Sequence, residues 1–328
     1  MINKILYAES GSTDPYNNIA LEECLLDAAS PGALIFFLWQ NENTVVIGRN
    51  QNCRRECDIK KLEADGGRLA RRLSGGGAVY HDLGNLNFSF MAAKNDYDEN
   101  TQTDVVLSAV RRLGILAEKT GRNDLTADGR KFSGNAFYHG ANILRHGTVL
   151  VSSDLNKLGE YLNAPGGKLE TKGVRSVSSR VVNLSELDNA IGISETKTAL
   201  KQAIADVYGA PASPFDMNEI DKALLDSRYE KFSSAGWKYG PEIGQGRRVC
   251  ERFKWGEMEL ILTIKDGCIT GCSAFSDALD TAPAELLPSA FIGIKYARDE
   301  LSRAVESVLP PYGEMCGDIK NLILSSLL

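Results

Sequence analysis

The chain has 328 residues, 43% of them hydrophobic and 24% charged. This excludes a small disulfide scaffold, a disordered chain and a collagen-like repeat, and predicts one large domain with a smaller partner. Lys and Arg number 37 against 43 Asp and Glu, a net −6 that argues against general attraction to nucleic acid or to an anionic membrane.

In chain order, the opening MINKILYAES has no secretory core and no apolar run approaches a bilayer span, so cytoplasmic residence is the expectation. Turn formers and Pro15 then precede an amphipathic helix carrying Ile19, Leu21, Leu25 and Leu26. Residues 34–39 and 44–47 are branched or aromatic runs on either side of Gln-Asn-Glu-Asn, a strand, turn, strand pattern. Residues 69–73 and 78–80 flank a glycine triplet and 86–91 follow a polar turn, so the first ninety residues read as a helix against a mixed sheet. A helix is expected at 103–113, ended by Gly114, and a strand at 115–119. Asp128-Gly129 marks a hairpin because both residues tolerate positive φ, which puts Arg130 and Lys131 at the start of the returning strand.

A strand at 143–152 and a helix at 155–162 come next. Residues 168–180, KLETKGVRSVSSR, are polar and basic and read as a mobile loop. Helices at 195–207 and 220–229 complete a large domain placed at residues 1–246, with a Gly-rich edge at 236–246. A meander at 252–255, 257–264 and 268–275, turning at Lys265-Asp266-Gly267, needs a second layer. Helices at 283–291, 298–308 and 318–327 supply it, making residues 247–328 a small α+β domain.

Residues 49–72 carry eight Lys or Arg against four Asp or Glu, serving an anionic substrate, an acidic protein partner or, for Arg54, Arg55, Lys60 and Lys61, a solvated helix face. Seven cysteines, an odd number, read as free thiols. Cys53/Cys57 and Cys268/Cys272 have CxxxC spacing, but three histidines in the whole chain supply no accompanying zinc cluster. Between Cys57 and Cys250 there is no thiolate to offer.

The most informative segment is RRLSGGGAVYHD at 71–82. Its glycines allow close approach and positive φ, so consecutive amides can converge on an anion. It matches neither the dinucleotide fingerprint nor Walker A. Glycines alone would serve ordinary turns; the two preceding arginines and the following His81-Asp82 tip the reading toward a site. Strand alternation sends Arg71 and Arg72 to opposite faces. One of them can face a pocket, where a guanidinium fork suits phosphate; the plain alternative for Arg71 is a surface salt bridge. His81 either orients a substrate or caps the turn.

In GRNDL at 121–125, Asp124 offers hard oxygens suited to Mg²⁺, while Asn123 can donate and accept. Lys131 stands beside Phe132, Gly134 and Ala136, neighbours that suggest close packing at a binding mouth. His146-Gly147-Thr148 leaves room for an apolar tail. A glycine nest, a lysine, an acid and a basic loop suit activation of a carboxylate by ATP. A cation between carboxylate and α-phosphate stabilises the transition state more than the separated anions, and Mg²⁺ suits the leaving pyrophosphate. Composition alone does not separate this from other nucleotide chemistry.

With ECLLDA, TVVIGRNQN, RLARRLSGGGAVYHDLGNLNFSF, GRNDL, RKFSGNAFY, HGTVL, SSDL, YLN and KGVRSVSSRVVNL, the chain closely resembles lipoate-protein ligases of the bacterial LplA type over residues 7–187. ERFKWGEMEL onward resembles that family's small accessory domain. The resemblance implies a mixed α/β catalytic domain of the biotin/lipoate ligase type, related to class II tRNA synthetases, plus a small C-terminal α+β domain. It implies an enzyme that joins lipoate to ATP in the presence of Mg²⁺ and retains lipoyl-AMP. The lipoyl group then passes to one lysine of the lipoyl domains of 2-oxoacid dehydrogenase complexes or of the glycine-cleavage H protein. Octanoate is the expected weaker substrate, and a monomer the expected state.

By the same resemblance Lys131 is the catalytic lysine at the acyl carbonyl and α-phosphate. Arg72, Gly77, Ala78, Val79 and Tyr80 match the nucleotide-binding segment, Asn123 and Asp124 the polar pair near phosphate and metal. Lys172, Ser176, Ser179 and Arg180 fall in the adenylate-binding loop. Ser74, Gly75, Gly76, His81, Ser133, Ala136, His146 and Thr148 surround the acyl group, and Trp39 resembles its aromatic wall unless it is an ordinary core tryptophan. The turn between GRNDL and Lys131 is shorter than in some relatives. A cysteine-thioester acyltransferase would need a thiolate in the catalytic portion, and none lies between 58 and 249. A biotin ligase would need GRGRxGRxW, which RRLSGGG replaces. A nucleotide-responsive binding protein is disfavoured by retention of Lys131, Asp124 and the glycine segment.

Overall fold

The computed structural model describes residues 2–121, 123–163, 180–240 and 244–327. The chain divides into two compact units. Met1–Val46, Arg55–Ala70 and Val79–Lys238 form the first; Ile47–Arg54, Arg71–Ala78 and Tyr239–Leu328 form the second. The strands, in chain order, are β1 (Lys4–Glu9), β2 (Ala33–Trp39), β3 (Thr44–Ile47), β4 (Arg68–Arg71), β5 (Val79–His81), β6 (Asn85–Ala93) and β7 (Ala117–Thr120). They continue as β8 (Asp124–Ala127), β9 (Arg130–His139), β10 (Asn142–Leu150), β11 (Ala212–Pro214), β12 (Arg247–Phe253), β13 (Gly256–Lys265) and β14 (Cys268–Ser276).

The first unit is built on an eight-stranded sheet in the order β11-β1-β2-β6-β10-β9-β8-β7. β1 pairs in parallel with β2 and β11, while β2/β6, β6/β10, β10/β9, β9/β8 and β8/β7 are antiparallel. The sheet is therefore mixed, as expected. β2, ALIFFLW, is buried at every position, in keeping with a strand covered on both faces. β6 alternates: Leu86, Phe88, Phe90 and Ala92 enter one core, while Asn87 and Ser89, also buried, point the other way.

Helices Glu99–Arg112 and Ile193–Tyr208 close that core with Val105, Val106, Val110, Leu200 and Ile204. A one-residue slip of β6 would exchange Phe88 and Phe90 for Asn87 and Ser89, forfeiting about 1.5–3 kcal/mol per phenylalanine, so the alternation fixes the register. Helix Pro15–Ala28 packs against β2, β6 and β10. It starts where Asp14 accepts from the amides of Tyr16 and Asn17 with proline in the first turn.

Helix Glu99–Arg112 begins four residues earlier than the apolar pattern predicts because Asp98 caps it, accepting from Asn100 and Thr101. Asp128 and Gly129 have φ of 51° and 68° and turn β8 into β9 as anticipated. β1 and β11 were not foreseen: β1 has no clean alternation, and β11 is three residues long.

The second unit holds the antiparallel sheet β12-β13-β14. Helices Ala282–Phe291, Arg298–Val308 and Gly313–Ser325 cover it through Leu260, Leu262, Phe291, Leu301, Val305 and Ile319. Asp266 and Gly267, at φ 52° and 75°, make the expected turn. The first strand lies five residues ahead of its predicted start at 252: Trp255 falls in the following turn, stacked on Phe253 at 5.0 Å with its indole donating to Asp318 at 2.8 Å. Among the described residues, no helix is long and apolar enough to cross a membrane.

On β1, partial burial works to raise the Glu9 carboxyl, but donation from Lys197 at 2.6 Å, from Tyr7 and from Lys201 at 3.2 Å outweighs it and holds the group at about 2 instead of 4.5. A depressed folded value means stabilisation that is complete above the unfolded value and lost as pH falls through the folded one. Glu9→Gln should therefore flatten the pH dependence of the unfolding free energy between 4.5 and about 2. Because solvent reaches the cluster, the cost at neutral pH should be no more than about 1 kcal/mol. Urea titrations at several pH values check this, and parallel profiles for both proteins would refute it.

Candidate active site

Sheet register brings one set of side chains to a common face of the first unit. Ala136 is opposite His146, His146 opposite Ser89, Thr148 opposite Asn87, and Asn87 opposite Trp39. Directly opposed residues share a face. The face thus collects Trp39, Asn87, Ser89, Ala136, His146 and Thr148 from four adjacent strands, although they span more than a hundred residues of sequence.

Lys131 joins them through a β-bulge. Thr126 pairs with Lys131 and Leu125 with Ser133, leaving Phe132 unpaired. Phe132 is fully buried in the helix-covered core beside Leu125. Burying its ring contributes about 1.5–3 kcal/mol, more than the 0.5–1.5 kcal/mol of one forfeited ladder hydrogen bond, so the bulge is favoured. The Lys131 amide donates to the Arg180 carbonyl and its carbonyl accepts from the Val182 amide, both at 2.9 Å. Its ammonium meets Asp124 Oδ1 at 2.7 Å, with the two side chains 38% and 37% exposed, so the charge pair is open to a ligand.

Asn123, next to Asp124, donates to the Asn135 carbonyl at 2.7 Å and its own carbonyl accepts from the Asn135 side chain at 3.0 Å. Buried Arg145 donates to Asn135 Oδ1 at 3.1 Å. This arrangement ties the Asp124 corner to β9.

Behind the acyl-side residues runs a buried polar chain. His146 Nδ1 lies 2.9 Å from Glu22 Oε1, which accepts the Ser89 hydroxyl at 2.5 Å; Ser89 accepts the Trp39 indole N–H at 3.0 Å. His81 stands edge-on to Trp39 at 6.2 Å, with Nδ1 3.2 Å from Asn41 Nδ2. Trp39 is buried, with its N–H fixed in this network. Glu22 Oε2 and Asn87 Nδ2 are buried with no hydrogen-bond partner among the described residues. Tyr80 is buried with its hydroxyl donating to Asn43 at 3.2 Å, and Val79 is half-buried.

Ser133 departs from this group. The bulge puts it on the helix-covered side, opposite Leu125, with its hydroxyl buried and unpartnered among the described residues. Lys172, Ser176 and Ser179, and most of the basic loop expected at 168–180, lie outside the described residues; Arg180 is described and exposed.

The glycine segment belongs to the second unit. Arg72 is buried there, its Nε donating to Ser74 Oγ at 3.0 Å and to the Gly75 carbonyl at 3.2 Å. Its Nη2 donates to the carbonyls of Gly75 at 2.6 Å and Gly77 at 2.8 Å. Arg71 is not a surface salt-bridge residue: it is buried, and one guanidinium nitrogen donates to the carbonyls of Gly48, Arg49 and Gln51 at 2.8–3.1 Å. Burial pushes it down to about 10, so it stays charged at neutral pH. The adjacent arginines brace two loops, because β4 ends at Arg71 and strict alternation no longer governs Arg72.

Gly75 has to be glycine, since a Cβ there would lie 2.2 Å from the Ala278 carbonyl oxygen. The Gly76 amide already donates to Ala278 at 2.9 Å and is thus spoken for in the expected anion nest. Ala78 is half-buried at the end of this segment.

The residues that sequence reasoning missed are Glu22, Asn87, Ser89 and Arg145. Glu22 carried a signal: it falls within the stripe Ile19, Glu22, Leu25, Leu26, all of which are buried.

The family model for the lipoyl protein ligase A/B catalytic domain matches residues 14–205, and that for the bacterial lipoate protein ligase C-terminus matches 247–327. The first match spans more than half of the chain, which therefore belongs to the lipoyl protein ligase A/B catalytic-domain family. It is an enzyme of the lipoate-protein ligase type, as the sequence motifs implied.

Among solved structures, P. falciparum LipL1 in complex with lipoate is similar at TM-score 0.87 and 28% identity, covering 98% of this chain and 99% of that one. The bipartite lipoate protein ligase of Thermoplasma acidophilum, described with its E2 lipoyl domain, gives TM-score 0.66 at 28% identity over 74% of this chain and 100% of that one. Lipoate-protein ligase A bound with ATP gives 0.64 at 28% identity over 73% and 99%.

Proposed function

We propose that this ligase activates free lipoate with ATP and transfers the lipoyl group from lipoyl-AMP to one lysine of a lipoyl domain, either in a 2-oxoacid dehydrogenase complex or in the glycine-cleavage H protein. The observation that carries this reading is the Lys131–Asp124 pair on the same sheet face as Trp39, Ala136, His146 and Thr148. A carboxylate oxygen of lipoate attacks the α-phosphorus and pyrophosphate leaves. The ammonium offsets negative charge that is concentrated at that junction in the transition state. The acceptor amine then attacks the acyl carbonyl carbon, and AMP leaves with the bonding electrons.

Arg72, the segment 77–80, Asn123 and Arg180 are assigned to the nucleotide; Ser74, Gly75, Gly76 and His81 are assigned to the acyl side, and Ser133, turned to the helix-covered side, is withdrawn from it. Lys172, Ser176 and Ser179 complete the nucleotide set. Mg²⁺ fits a site with one carboxylate, Asp124, since that ion is commonly held by one or two carboxylates plus substrate phosphates, and it would neutralise the pyrophosphate. Burying four methylenes of the tail contributes roughly 3 kcal/mol before entropic costs, so octanoate should be a weaker substrate and not an excluded one. The enzyme is placed in the cytoplasm as a monomer.

The test is mass spectrometry of a purified lipoyl domain after incubation with enzyme, ATP, Mg²⁺ and lipoate. The expected result is a lipoyl mass gain on one lysine, lost when any component is omitted. Efficient modification from an acyl carrier protein thioester without ATP would overturn the reading.

A further inference from the structure

The bulge at Phe132 has an effect three residues on. In a regular strand Lys131 would share its face with Ser133; here it shares it with Gly134, because Phe132 adds one residue to the alternation. A Cβ on Gly134 would lie 2.9 Å from Lys131 Cε and 2.9 Å from Lys131 Nζ, with no other atom of the described residues beyond its chain neighbours within 4 Å. The backbone itself does not demand glycine at 134, which has no positive φ. Ala136, two residues further along the same face, carries its methyl and is buried. What a methyl at 134 would meet is the end of the lysine arm.

We propose that Gly134 is a positioning residue: its bare Cα is the shelf over which the Lys131 side chain lies, and this sets the 2.7 Å approach of the ammonium to Asp124. The inference rests on the assignment of Lys131 to the adenylation step. A methyl group displaces the flexible end of the arm without asking the sheet to move. The expected loss therefore falls on chemistry and not on folding.

In the full-length protein, Gly134→Ala should slow pyrophosphate release at saturating lipoate and ATP by roughly tenfold to a hundredfold, the scale of an ångström-level misplacement. Lipoate affinity and Tm should stay close to those of the parent. The rate at which acetic anhydride modifies Lys131, read by peptide mass spectrometry, should change while other lysines keep their rates. Unchanged pyrophosphate release and unchanged Lys131 labelling would overturn the proposal.

Lys131→Ala measured alongside separates the two assignments. If it retains parental pyrophosphate release, the role of Lys131 fails; if it loses that release and Gly134→Ala does not, only the positioning role fails. Should Gly134→Ala melt early, the double variant Lys131→Ala/Gly134→Ala has to regain the lost stability, because the methyl then meets no arm. Persistent destabilisation would overturn the proposal equally.

Discussion

Lys131→Ala is expected to slow lipoyl-AMP formation by roughly 10²–10³-fold, about 3–4 kcal/mol of transition-state stabilisation, on the scale of removing one preorganised oxyanion donor. The same substitution should hardly alter Tm. The Lys131–Asp124 pair has both side chains more than a third exposed, and an ion pair so open to water contributes only about 0–1 kcal/mol to folding. The bulge that presents the lysine is held by Phe132 and by backbone bonds to Arg180 and Val182, none of which needs the ammonium. Pyrophosphate release at saturating substrates, with a melting curve on the same preparation, checks both halves. Near-parental release would remove Lys131 from the chemistry.

Arg72→Met should produce the opposite division, with stability and ATP affinity falling together. Methionine keeps much of the volume but removes donors that satisfy the buried carbonyl of Gly75 and the carbonyl of exposed Gly77. An unsatisfied buried acceptor costs about 1–3 kcal/mol, so a loss of about that size is expected, read by denaturant unfolding. Arg72→Lys keeps the charge but has one donor nitrogen in place of the Nε and Nη2 that reach Ser74, Gly75 and Gly77, and should recover only part of the loss. ATP affinity by calorimetry should weaken in both variants because the glycine segment relaxes. If Arg72→Met unfolds like the parent, the guanidinium is not the brace its hydrogen bonds describe.

The strands that carry the site were legible where one physical signal dominated. β2 is a continuous apolar run, β6 alternates large apolar with small polar residues, and Asp128-Gly129 marks the turn before Lys131. The face on which a residue lands was harder to read. Ser133 stands two places from Lys131 and would share its face in a regular strand; the bulge depends on burying Phe132 in a core made by helices distant in sequence.

Arg71 misled for a related reason. Charge suggests a solvent partner, whereas its acceptors are carbonyls of residues 48–51, whose proximity is a tertiary fact. Glu22 was legible in principle, as a carboxyl within an apolar helical stripe, but its partners His146 and Ser89 arrive from strands far along the chain.

The glycine segment has its partners at the far end of the polypeptide. Asn50 accepts from the Ser276 amide and donates to Thr281, and Gly76 donates to Ala278, roughly 200 residues later. At about 5–20 residues per second, a ribosome that has made Gly76 needs about 10–40 s to release those partners. During translation the loop therefore waits unfinished while the eight-stranded sheet can already pair, and it is completed only as the last strands and helices emerge.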